Sequence, residues 1–196
     1  MRVMTAISLL TLLGCGSFSA PKKDTFYRLQ EPAVAAVTTV DASAPIIYVP
    51  PFAASGLHGE RALVYAHDDG TALEQYTYHF WIDSPRLLLQ QALADQLRAT
   101  SARRIVLEPT ADAVYTVYGR IRKFERRAAG KAGAAEVTLE FQVVSAKSAV
   151  AEFERIYSRS VALSDDGMAT CASALSQSAR DILAEFTRDL RTHWGG

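Results

Sequence analysis

An excess of charge of one sign, a pair of usable cysteines and an apolar run long enough to cross a bilayer are all missing from this 196-residue chain. With 21 basic against 21 acidic side chains it lacks the electrostatic footprint of a nucleic-acid binder. A membrane-spanning helix takes about 20 consecutive apolar residues, and the longest run, Val3 to Leu13, is far shorter. The catalytic signatures are missing too. There is no Gly-x-Ser-x-Gly elbow, no His-Glu-x-x-His and no Cys-x-x-Cys. Gly130-Lys131 is followed by Ala132, and Glu125 stands where a phosphate loop needs its first glycine, so nucleotide hydrolysis by that route is excluded. These absences lead us to expect a protein that is not an enzyme and needs neither cofactor nor metal.

What is present begins at the N-terminus. One positive charge, Arg2, precedes the apolar run, which ends in Leu12-Leu13-Gly14-Cys15. This is the layout of a secretory signal, and its last four residues resemble the bacterial lipobox. The resemblance implies removal of residues 1–14, acylation of Cys15 with palmitate-type chains, and a mature chain that begins at that cysteine. Several acyl chains hold stably where one holds marginally, because each buried methylene contributes about 0.8 kcal/mol. Residues 15–24 then form a tether of at most about 30–35 Å when extended, and 25–196 a single domain working close to the membrane. Gly16 stands where an aspartate would signal inner-membrane retention, so the resemblance favours the outer membrane, with the protein facing the periplasm. Cys171 is left without a partner for a disulfide, and its place on an apolar stripe predicts a buried, inert thiol.

Along the body, Thr25 to Leu29, Ile46 to Val49, Leu63 to His67 and Leu73 to Ile82 read as strands. The last two are joined by a turn at Asp68-Asp69-Gly70. Val37 to Val40 is a weaker candidate strand. Ser84-Pro85 is a helix start, and Leu89, Leu93 and Leu97 give that helix, ending near Thr100, one apolar stripe. Ala113 to Glu125 and Glu136 to Val144 form the clearest hairpin, the second strand alternating cleanly as a half-buried antiparallel strand does. Phe153 to Leu163 adds a strand. A helix from about Gly167 to Thr192, capped by Asp165 or Asp166, carries Met168, Cys171, Leu175, Ala179, Ile182, Phe186 and Leu190 at helical spacing. The expected fold is α+β: a mainly antiparallel sheet with two amphipathic helices packed on one face, a two-layer sandwich.

Three groups of residues invite a functional reading. His67-Asp68-Asp69 could bind a metal, but three adjacent residues cannot converge on one ion, and a solvated turn explains them better. His58, His79 and His193 are scattered. Arg120, Arg122, Arg126 and Arg127, with Lys123 and Lys131, resemble a patch for anionic lipid. A hairpin centred on Lys131 would instead set Arg126 against Glu136 and Arg122 against Glu140, making an internally neutralised face. In the aromatic strand, simple alternation puts Tyr76, Tyr78, Phe80 and Ile82 in the core and Thr77, His79 and Trp81 on the other face. Trp81 there is either a cover for the sheet edge or, with Thr77 and His79, part of a partner-contact surface.

Tyr76-x-Tyr78-His79-x-Trp81-x-x-Ser84-Pro85, followed directly by the leucine-rich helix, resembles the signature segment of the ABC-type transport auxiliary lipoprotein family, the PqiC/YmbA-like proteins. Phe26-Tyr27-Arg28-Leu29 fits as well. The resemblance implies a non-enzymatic partner of an MCE-type ABC system that moves lipid between membranes. This chain would then dock the periplasmic MCE protein at the outer membrane or receive phospholipid from it. An assembly or structural scaffold lipoprotein without a transport role remains the alternative reading, and a lipid-anchored hydrolase would need a nucleophile and base that are not found.

Overall fold

The computed structural model describes residues 21–29, 41–67, 69–128, 132–148 and 150–194. Cys15 and the rest of the lipobox, Asp68, Lys131 and the candidate strand at 37–40 lie outside the described residues. In chain order the elements are β1 (Thr25–Tyr27), β2 (Ile46–Tyr48), β3 (Ala53–Ala54), a 3-10 turn (Gly56–Gly59), β4 (Ala62–Ala66), β5 (Leu73–Trp81), α1 (Pro85–Thr100), β6 (Arg104–Val106), β7 (Ala113–Arg127), β8 (Ala134–Ser145), β9 (Ala151–Ala162) and α2 (Met168–His193).

Strand β7 is the spine. One of its edges pairs with β8 along nearly its whole length, and β8 pairs in turn with β9, both antiparallel. Its other edge is shared by three short parallel partners in succession: β2 at residues 113–116, β3 at 120–121 and β4 at 126–127. Parallel β6 extends β2, while antiparallel β5 and then parallel β1 extend β4. The α+β class and the two helices hold, but the sheet is mixed, and among the described residues most of its strand pairings are parallel. The expectation of a mainly antiparallel sheet is corrected accordingly. Antiparallel hairpins are closed by local turns that a sequence displays. Parallel partners must be brought together by long crossovers, and strands of two to five residues carry no pattern that gives their direction.

The helices start where the sequence places them, through backbone geometry more than through side-chain caps. Ser84 occupies the N-cap of α1 without a side-chain cap bond, and Pro85 opens the first turn, where its missing N–H costs nothing. In α2 the N-cap is Gly167. Asp165 lies two residues upstream and accepts from the Gly167 N–H at 2.8 Å and from the Thr170 hydroxyl at 2.9 Å. The predicted stripes face the sheet: Leu89, Leu93 and Leu97 of α1 and Cys171, Leu175, Ala179, Ile182, Phe186 and Leu190 of α2 are all buried.

They meet the inward face of β8, where Ala135, Val137, Leu139, Phe141 and Val143 alternate with half-buried polar neighbours. The centre is aromatic. Phe141 stacks on Phe186 at 4.1 Å between ring centroids, and Phe52 meets Phe141 edge-on at 5.8 Å. Phe52 fits only because position 119 is glycine, since a Cβ there would lie 2.4 Å from its ring. Burial pushes the Cys171 thiol up to about 11, so at neutral pH it stays protonated and unreactive.

Candidate interaction surfaces

Strand β5 decides which aromatic side chains reach solvent. Ala62 of β4 pairs with Phe80, yet Val64, two residues on, pairs with Gln75, so β5 carries an excess of residues between these points. The excess is odd, and side chains alternate with a period of two, so the faces exchange across the irregularity. Tyr76 and Trp81, of opposite parity, consequently both turn toward the core.

Trp81 is 1% exposed and packs on Phe124 at 5.2 Å. Its backbone N–H donates to Arg61 at 2.7 Å. His79 is half-buried, with the Tyr27 hydroxyl 3.0 Å from its Nδ1. Of the three residues singled out as a contact surface, only Thr77 is exposed. A surface contact through Trp81 is therefore corrected: the indole fills the core.

Of the four residues assigned to the core from simple alternation, Tyr76 packs against it, while Tyr78, Phe80 and Ile82 instead make an exposed strip. Tyr78 is 37% exposed and Ile82 44%, with Phe80 half-buried between them. Parallel pairing sets Phe26 of β1 beside Phe80, and the rings stack at 5.7 Å while Phe26 stays 53% exposed. The strip is edged by cations. The Arg61 guanidinium lies 5.6 Å from the Phe26 ring centre, and the Lys22 ammonium 5.9 Å from that of Tyr78. Arg61 is held by donating to the carbonyls of Trp81 and Ile82. Beside it runs a shallow groove of about 410 Å³, floored by Phe26, Ala62 and Phe80 with Asp24, Glu60 and Gln75 on its rim. A contiguous exposed apolar patch with a polar border is the usual mark of an interaction site. No local sequence signal announces this one, because the irregularity in β5 arises from its pairing with β4.

The outer face of β7 and β8 is polar and largely self-neutralised. Arg122 donates to Glu140 at 2.7 Å from the bulged position rather than from directly opposite, and Arg120, which does stand opposite, lies 3.8 Å from the same carboxylate. Arg126 does not meet Glu136. The strands pair one residue off a hairpin centred on Lys131, so Arg126 stands opposite Ala135 and reaches Tyr76 and the carbonyls of Ala132 and Asp166. Lys123 and Arg127 take Glu136 instead, at 2.8 and 3.3 Å. Burial pushes the Glu136 carboxyl up, but the hydrogen bonds from Lys123 and Arg127 outweigh it and hold the group below its ordinary range. On the same strand face Glu125 is buried with His58, the two side chains 2.5 Å apart.

His67 pairs with Glu74 at 2.9 Å on the surface, and His193 packs edge-on to Phe153. Among the described residues no three His, Cys, Asp or Glu side chains are grouped so as to hold a metal ion. Nor is any helix among them long and apolar enough to cross a membrane.

Comparison with known proteins finds the same architecture elsewhere. A protein from Xanthomonas campestris, XCC0632, superposes with a TM-score of 0.68 at 16% identity, covering 87% of this chain and 97% of that one. A crystal structure described only as an uncharacterized protein gives 0.70 at 15% identity, covering 86% of this chain and 99% of the other. A PelC variant from Paraburkholderia phytofirmans, crystallised as a dodecamer, gives 0.50 at 14% identity over 75% of this chain and 89% of its own. At such identities the likeness is one of fold. No curated protein matches the sequence. The family model for the ABC-type transport auxiliary lipoprotein component matches residues 27–186, which takes in every element from the end of β1 to most of α2. The chain belongs to that family, the PqiC/YmbA-like transport auxiliary lipoproteins.

Proposed function

We propose that this protein is a non-enzymatic lipoprotein component of an MCE-type ABC transport system. Anchored at the outer membrane through Cys15, it docks the periplasmic MCE protein or receives phospholipid from it. The observation that carries the reading is the aromatic strip of Phe26, Tyr78, Phe80 and Ile82, exposed at the sheet edge just beyond the tether. A transport auxiliary protein acts by holding a partner, and large aromatic side chains at the centre of an interface supply most of its affinity. Thr77, exposed on the same strand, belongs to the rim of this surface, with His79 behind it.

The lipid anchor and the docking face are tested separately. Cys15→Ser leaves no thiol to acylate and shifts the protein out of the detergent phase. Incorporation of labelled palmitate by that variant contradicts the anchor. For docking, the wild-type lipoprotein is purified from membranes and its companions identified. Recovery of an MCE-domain protein supports the transport role, whereas recovery of a barrel protein or an envelope polymer in its place supports the scaffold reading.

A further inference from the structure

Between the C-terminal ends of α1 and α2 lies a half-open cavity of about 220 Å³. Its walls are mainly apolar, built from Leu97, Leu190 and the Trp194 indole, and among the described residues no acidic side chain lines it. Arg103 and Arg191 stand at its rim. The Arg103 guanidinium lies 4.1 Å from the Trp194 ring centre, with Tyr115 against the same indole at 5.0 Å. A guanidinium stacked on an aromatic face keeps its in-plane N–H donors free to bind. Neither arginine has a carboxylate partner among the described residues. Two further buried polar atoms of the lining, Trp194 Nε1 and Ser101 Oγ, also lack a partner among the described residues. Buried donors left in that state cost about 1–3 kcal/mol each.

The helix ends act against an anion here, and magnitudes decide. Two C-termini contribute about −0.5 charge each, and their last turns are partly satisfied by the backbone N–H groups of Ser101 and Trp194. Two guanidinium groups exceed this, and the rim stays positive. On size, an apolar cavity of about 150 Å³ accommodates benzene, so this one holds an apolar chain of about eight to nine carbons.

We propose that this cavity is a binding site for an anionic amphiphile, taking one acyl segment between Leu97, Leu190 and Trp194. The acidic head lies against Arg103 and Arg191, with Trp194 Nε1 or Ser101 Oγ donating to it. The site needs no transport partner and stands apart from the docking reading.

Octyl phosphate is a suitable probe, used below its micellar range on the full chain in phosphatidylcholine vesicles. Trp194 reports directly, and Trp81, the other tryptophan, is sealed in the core. The expected result is a saturable change in tryptophan fluorescence that is lost in Trp194→Phe. In the double variant Arg103→Gln/Arg191→Gln the affinity falls about tenfold or more, and it returns in part with lysine at both positions. Should the double variant melt early, wild-type affinity measured against salt takes its place, and it falls as salt rises. The proposal is overturned by any of four results: no Trp194-dependent change, equal binding of inorganic phosphate, equal binding of zwitterionic octyl phosphocholine, or an affinity indifferent to both arginines and salt.

Discussion

Strands β5 and β8 carry the same kind of alternating sequence and end in opposite ways. In β8 every second residue from Ala135 to Val143 turns inward without interruption, because both neighbours stay in register with it over that stretch apart from one bulge in β7. In β5 an odd excess of residues against β4 exchanges the faces, burying Trp81 and exposing Tyr78 and Ile82. Alternation shows that a strand has two faces, and the partner strand decides which of them is dry. The regular region became the core, and the irregular one presents the surface with the strongest claim to a binding role.

The sharpest way to break this contrast is through stability. Phe186 stacks on Phe141 at the centre of the regular region, and Phe186→Ala should cost about 3–5 kcal/mol, read as a large drop in denaturant midpoint. Trp81→Ala should cost a similar amount, because the indole is core. A Trp81→Ala protein that melts like wild type would return the residue to the surface and undo the assignment of faces.

Cys171 offers a milder probe of the same core. With the thiol buried and its pKa pushed up to about 11, a thiol reagent should leave it unmodified in the native protein and label it on unfolding. Cys171→Ser should destabilise by about 1–3 kcal/mol, since the hydroxyl enters an apolar stripe. Full labelling of native protein would contradict its placement.

The smallest effect lies on the polar outer face. Glu136, held below its ordinary range in the folded state, contributes stability that is present above its unfolded pKa and lost as pH falls through the lower folded value. Its partners Lys123 and Arg127 are exposed enough for solvent to screen them, so Glu136→Gln should cost at most about 1 kcal/mol at neutral pH. The difference from wild type should shrink as the pH is lowered through the acid range. A difference that grows on acidification would mean that the carboxylate is not held by these cations.

Much of this fold is legible in the sequence, for local reasons. Ser84-Pro85, the leucine stripe of α1 and the seven-residue stripe of α2 rest on helical spacing and terminal signals, which neighbours seldom overturn. The β7–β8 hairpin rests on alternation, and its Arg122–Glu140 contact forms, but not in the expected register. Arg120 stands opposite Glu140, Arg122 is the bulged residue, and Arg126 faces Ala135 because the strands pair one residue off a hairpin centred on Lys131. The β4–β5 hairpin is read correctly from its turn signal, but β1, β2, β3 and β4 are too short to reveal their parallel partners. The aromatic strip was illegible because an irregularity in pairing leaves no mark on the strand that contains it. Cys15 is the reverse case: its proposed role as the acylated residue is read wholly from sequence, and it lies outside the described residues.

The most direct test of the proposed docking role is the double variant Phe26→Ser/Tyr78→Ser, examined for melting and for capture of the proposed MCE-domain partner in parallel. Both side chains are substantially exposed, so the melting temperature should stay within a few degrees of wild type. Loss of two interface aromatics should weaken capture by about 2 kcal/mol or more, roughly thirtyfold. A variant as stable as wild type that still captures the partner with undiminished affinity would contradict the assignment of this face.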